Sequence, residues 1–254
     1  MNEKKQMFKK LRRALRVVPV ADLGKYYHLI AGDSQPLIEV RIKSLGNKSV
    51  FARPGTEDYL TLYYVFYNRF HLPPAPLPDS PVILDLGSNC GYTISHYKHL
   101  YPCARIIGVE MDEDNLALAR QNVGGLENVE LLHGAVSHKD GIVSYNKQAK
   151  EDAYRIEYGE VTNPKTVAAL TIPSIIQRFG LSRIDFLKLD IEGEEVNVFD
   201  AAQDLSWLDA VKSLNMEVHA EPSVLQNMLA VLQQRGFRAW KDTHHWSAIM
   251  AVRQ

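Results

Sequence analysis

The chain has 254 residues, 46% of them hydrophobic and 23% charged, enough to close one substantial core with helices and strands around it. A formal net charge of -1 and only two cysteines, Cys90 and Cys103, exclude a disulfide scaffold, a paired-cysteine metal site and a broadly basic nucleic-acid surface. No apolar run approaches the roughly 18 residues that span a bilayer, and the first residues lack the apolar core and cleavage site of a secretion signal, so a cytoplasmic protein with both thiols reduced is expected.

Residues 1–20 hold seven Lys/Arg against one acid, leaving 22 bases against 29 acids elsewhere. Phe8, Leu11, Leu15 and Val18 recur at helical spacing among those cations, which predicts a basic amphipathic helix. Such a helix packs its stripe on its own domain or on a twin subunit in a homo-oligomer, or lies on an anionic membrane as a peripheral contact. From residue 37, "LIEVRIKSLGNKSVFARPG" reads as a hairpin about a Gly-Asn turn, and "TEDYLTLYYVFYNRF" as an aromatic helix capped by Thr56. The five prolines of "HLPPAPLPDSP" make a linker. The boundary falls there: residues 1–80 form an N-terminal module of basic helix, hairpin, aromatic helix and proline linker, and residues 81–254 the main domain.

Beyond the linker, strands and helices alternate: strand 82–86, helix 91–100, strand 105–110, helix 113–123, strand 129–135, helix 173–179, strand 184–189, helix 194–203, strand 211–218, helix 223–235, then strands near 237–241 and 246–252. This order predicts an α/β fold with a seven-stranded sheet covered by helices on both faces. The short turn "KDTHH" makes one of the last two strands antiparallel in an otherwise parallel sheet.

"VILDLGSNCGYTISHY" runs from an apolar strand through Asp85, Gly87, Ser88, Asn89 and Gly91 into a helix. Gly87 and Gly91 let a ligand press on bare backbone. The G-x-x-x-G spacing differs from a dinucleotide fingerprint, and Asp85 places a carboxylate where a pyrophosphate would sit, which disfavours NAD. A cationic ligand without phosphate, S-adenosylmethionine, suits the turn, with Asp85 attracting its ammonium directly or through water. Glu110, at the end of the second strand, has the placement of an acid that grips both ribose hydroxyls, and Met111 and Ala135 can cover the two faces of the adenine.

Together with "FARPGTEDYL", "TIPSII" and "IDFLKLDIEGEEVNVF", these stretches resemble the FkbM family of S-adenosylmethionine-dependent methyltransferases over about residues 50–220. The most specific piece carries Lys188, Asp190, Glu192, Gly193 and Glu194 or Glu195. The resemblance implies a class I methyltransferase fold and O-methylation of a hydroxyl on a sugar or natural product. Ser88, Cys90 and His133 depart from the residues common in such proteins. Arg53 of "ARPGTED" is expected to reach the cofactor carboxylate or to order its own segment; the competing reading is a pair with Asp58.

An alcohol acceptor must lose a proton, and Asp190, Glu192, Glu217 and His219 converge at strand ends where a base is needed. His219 is the first candidate, since neutral imidazole is available near pH 7. A divalent metal held by Asp190 and Glu217 is the less favoured alternative. His96 and His99 are expected to be solvated on the first helix of the main domain, and residues 146–168 to cover the acceptor as a lid or to be an unstructured insertion. The rival functions are small-molecule N-methylation, NAD-dependent oxidoreduction and a non-catalytic cofactor-binding scaffold. The expected partner is a small hydroxylated acceptor rather than nucleic acid.

Overall fold

The computed structural model describes residues 3–146, 155–157, 165–200 and 202–254. Helix α1 (Glu3–Val17) is followed by α2 (Leu23–Ala31), which the hydrophobic pattern did not announce. The buried side of α1 is Ala14 and Val17, continued by Val18, while Leu15 points outward at 45% exposure. This rotates the expected stripe, and the cations explain it. Lys10, Arg13 and Arg16 lie over the rings of Tyr59, Tyr63 and Tyr67 at 4.7, 5.1 and 4.6 Å, so α1 settles with its basic edge on the aromatic helix.

Strands β1 (Ile38–Ile42) and β2 (Lys48–Ala52) pair antiparallel around Gly46 and Asn47, both left-handed at φ 65° and 66°. Helix α3 (Asp58–Tyr63) runs on as a π-helical turn over Tyr64–Asn68. The hydrophobic cluster of this module also contains Cys90, Tyr92 and Leu118, so residues 14–66 and the main domain share one core.

The main domain runs β3 (Val82–Leu86), α4 (Tyr92–Leu100), β4 (Arg105–Glu110), α5 (Glu113–Val123), β5 (Val129–His133), β6 (Ala135–Val136), β7 (Gly141–Asn146), β8 (Arg155–Glu157), β9 (Lys165–Leu170), α6 (Ile172–Phe179), β10 (Phe186–Leu189), α7 (Glu195–Val198), β11 (Ser213–Glu217), α8 (Pro222–Gln234), β12 (Phe237–Lys241) and β13 (Ala248–Arg253). Seven of these strands form one sheet in the order β12-β13-β11-β10-β3-β4-β5, and β13 alone runs against the rest. This is the α/β sheet expected, preceded by hairpin and helix. Connections leave β3 in opposite directions, to β4 on one side and eventually to β10 on the other, so a crevice opens at its carboxyl end.

Two expectations need correction. The strand expected over 129–135 breaks at Gly134, where a side chain would come within 2.8 Å of Leu170, and β6 joins a second sheet in the order β6-β9-β7-β8. The helix expected over 194–203 shrinks to α7, because the Asp200 carboxylate accepts from the Ala202 amide and turns the chain. Most of the segment read as a lid lies outside the described residues; the last residue of β7, β8 and the start of β9 are the parts of it that are described. Among the described residues, no helix is long and apolar enough to cross a membrane.

Candidate active site

The crevice at the end of β3 has a volume of about 570 Å³, within the range of small-molecule sites. Its floor is the turn from Gly87 to Gly91. A Cβ on Gly87 would lie 1.8 Å from the Asp190 carbonyl oxygen, so glycine here lets two strand ends close on each other. Asn89 adopts φ 47°, and that bend aims its amide N–H at Glu110 Oε2, 2.9 Å away.

Glu110, the last residue of β4, also accepts from the Asp112 amide through Oε1 at 2.8 Å. It lines the crevice, and burial pushes its pKa up to about 7. Two backbone donors hold the carboxylate rigidly, leaving acceptor lone pairs for a pair of hydroxyls. Met111 and Ala135 line the wall beyond it and pack with Ile156, which also lines the crevice from β8. Ser88 lines the same wall, with its buried hydroxyl oxygen unpartnered among the described residues.

Asp85 does not line the crevice among the described residues. It is fully buried under the turn, where the Thr93 hydroxyl donates to Oδ2 and the Lys188 ammonium lies 3.6 Å from Oδ1. Its ordinary pKa is raised by burial, against the pull of Lys188 and Thr93. Contact with a ligand's ammonium is therefore not made by the Asp85 carboxylate in this geometry. Lys188 joins the parts: it donates to the Gly87 carbonyl at 2.7 Å and lies 3.2 Å from Asp190 Oδ2. Arg53 is also absent from the lining. It forks onto Asp58 at 3.0 and 2.8 Å and donates to Asn115 Oδ1 at 2.9 Å, so the pairing with Asp58 prevails and the arginine braces the turn from behind.

Across the crevice, the ends of β10 and β11 bring Asp190, Glu192, Glu217 and His219 together. His219 Nε2 lies 3.9 Å from Asp190, 3.6 Å from Glu192 and 3.6 Å from Glu217. Its Nδ1 faces Glu195 Oε1 at 3.4 Å. Glu195 is fully buried and accepts from the Ile191 and Gly193 amides at 2.8 and 2.9 Å, which fixes the carboxylate that orients the ring. Burial lowers the proton affinity of His219, but the Glu195 contact and the charges of Asp190, Glu195 and Glu192 outweigh it and lift the pKa to about 9, so the neutral imidazole expected near pH 7 is the minor form there. Burial, reinforced by Asp190, raises Glu217 to about 7. Glu192 holds φ 56°, an uncommon conformation for a residue with a side chain and one that recurs at functional sites.

The mouth was only partly legible in the sequence. Tyr64 and Val65 of the aromatic segment do line it, as do His71, Asn215, His244, His245 and Trp246. His245 packs on Phe70 at 4.5 Å between ring centroids and sits 3.5 Å from Glu217. His96, expected in solvent, is buried and paired with His71 at 3.0 Å. Glu195 was readable only as one of two acids after Gly193, because its role depends on a three-residue turn that brings its carboxylate back under its own backbone.

These residues fit S-adenosylmethionine: an acid for two hydroxyls, an open glycine turn, an unpartnered buried hydroxyl and apolar walls. Residues 85–239 match the family model described as the methyltransferase FkbM domain. The chain is 23% identical to methyltransferase sdnD of Sordaria araneosa over 207 residues, 68% of this chain and 80% of that protein. It is 26% identical to 2-O-methyltransferase NoeI of Sinorhizobium fredii over 138 residues, 48% of this chain and 56% of that protein. Among solved structures, methyltransferase FkbM of Methylobacillus flagellatus aligns with a TM-score of 0.48 and 12% identity, covering 97% of this chain and 59% of the other.

Proposed function

The chain belongs to the FkbM methyltransferase family, and we propose that it methylates a hydroxyl oxygen of a small acceptor such as a sugar or a natural product. The observation that carries this reading is the pairing, across one crevice, of the amide-held Glu110 with the Asp190, Glu217 and His219 cluster. S-adenosylmethionine supplies a methyl group on a positively charged sulfur. Glu110 holds the ribose hydroxyls, Met111 and Ala135 enclose the base, and the turn from Gly87 to Gly91 lies along the rest. Asp85 and Arg53 contribute from outside the crevice, Asp85 through Lys188 and Arg53 through Asn115.

Most of the chemistry is alignment and exclusion of water. A hydroxyl acceptor needs a proton acceptor as well, and His219, oriented by Glu195 and faced by Asp190 and Glu192, takes that role in its neutral form. Because its pKa is lifted to about 9, that form is the minority at neutral pH and turnover is expected to rise with pH towards 9. Methyltransferase family membership sets aside the oxidoreductase reading.

A second reading is carried by one observation: Asp190, Glu217 and His219 each offer a donor atom, and these lie within 4.8 Å of one another. A divalent cation held there would acidify the acceptor hydroxyl. Both readings are tested by incubating the protein with methyl-labelled cofactor and a panel of sugars, glycolipids and hydroxylated natural products. A product heavier by one methyl on oxygen supports the function; labelling only of amines overturns it. With an acceptor in hand, His219→Gln lowers the chemical rate about 10²-fold or more if the imidazole is the base. Loss of turnover on chelation, restored by magnesium or manganese, assigns the cluster to a cation.

A further inference from the structure

Helices α1 and α2 carry a surface that the crevice does not use. Leu11, Leu15, Leu23 and Tyr27 line an open groove between them, with Arg12 at its edge. Leu15, Val20 and Tyr27 are 45%, 72% and 43% exposed, although Ala14, Val17 and Val18 beside them already satisfy the core. Large apolar side chains left outside a completed core mark a docking face.

The charge around this face is one-sided. Arg12, Arg16 and Lys25 are exposed, and Lys10 and Arg13 are half-buried. From Met7 to Gly32 the only acid is Asp22, which is buried and forked by Arg41 at 2.7 Å. The cation–π ladder on Tyr59, Tyr63 and Tyr67 holds the basic edge in place, so these charges belong to a rigid face. A second copy of the chain is a poor occupant, since a two-fold contact sets the same cations against each other. Nucleic acid is also a poor match, because the centre of the face is apolar and its rim is charged.

We propose that the α1–α2 face docks on an anionic lipid surface, with Leu15, Val20 and Tyr27 entering the headgroup boundary and Arg12, Arg16 and Lys25 meeting lipid phosphates. An amphipathic helix pair with few inserted side chains gives reversible, salt-sensitive attachment. Tyr27, apolar in body and polar at its tip, suits that boundary.

The test is co-sedimentation of the full chain with vesicles of phosphatidylcholine alone or mixed with phosphatidylglycerol. Binding is expected to the mixed vesicles only, and to fall at least about tenfold as salt rises from about 0.1 to 0.5 M. The Leu15→Asp, Val20→Asp double variant should lose binding about tenfold or more, while Ile142→Asp, an 80%-exposed apolar position on the second sheet, binds as the wild type does. An unchanged affinity for S-adenosylhomocysteine certifies that the double variant is folded. Wild-type protein left in the supernatant with mixed vesicles, or equal sedimentation of the double variant, overturns the proposal. So does a wild-type oligomer in vesicle-free buffer that the double variant converts to a monomer, which assigns the face to a second copy.

Discussion

Glu110 shows how a single residue can be half legible. Its position at a strand end after a glycine turn names it as a hydroxyl-binding acid, but its proton affinity depends on burial and two amide donors that only the fold supplies. The folded protein holds its proton up to about pH 7, against 4.5 for the unperturbed group. Any stability gained by burying the neutral acid is therefore full below 4.5 and is lost as the pH rises through 7. On the proposed contact with two ribose hydroxyls, ligand binding runs the other way, because the ionised form offers acceptors to both. We expect cofactor affinity to increase between about pH 6 and 8, and this increase to flatten in Glu110→Gln, measured by calorimetry at matched ionic strength. An identical pH profile in the variant would move the hydroxyl contacts to another residue. Asp85 and His96 mark the limit of sequence reading at this scale: spacing put Asp85 at the right turn but could not show that its carboxylate points beneath it, and polarity put His96 in solvent although His71 arrives from the linker to pair with it.

Elements with strong periodicity, β3, β4, α5, α8 and the terminal hairpin, were readable because their burial depends on neighbours close in sequence or on a regular sheet. The second sheet was not readable, since β6 has two residues and the sheet's buried face is assembled from β6, β7, β8, β9 and Met111. The hairpin and the start of α3 meet the glycine turn through Arg53, whose guanidinium joins Asp58 to Asn115 at the start of α5 and to Cys90 of the turn. Asp58 is nearly buried, so removing its partner leaves a charge without compensation. Arg53→Met is expected to cost about 3 kcal/mol in denaturant unfolding and to raise the cofactor dissociation constant several-fold through loosening of Asn115. An unchanged unfolding midpoint together with a large loss of cofactor affinity would mean that Arg53 touches the ligand directly.

At the scale of the whole molecule, the β10-β3-β4 order sets the layout of the crevice, because it places the amide-held Glu110 on one side of β3 and a carboxylate–histidine cluster on the other. The N-terminal module joins this arrangement through a shared core. The central claim is that the crevice is an S-adenosylmethionine site anchored by Glu110. Calorimetric titration of the wild type and Glu110→Ala with S-adenosylhomocysteine, beside NAD, tests it most directly. One-to-one binding of S-adenosylhomocysteine is expected, with no heat from NAD and a loss of about 1 to 3 kcal/mol in the variant. Saturable binding of NAD in place of S-adenosylhomocysteine, or equal affinity in a folded Glu110→Ala protein, would contradict the account.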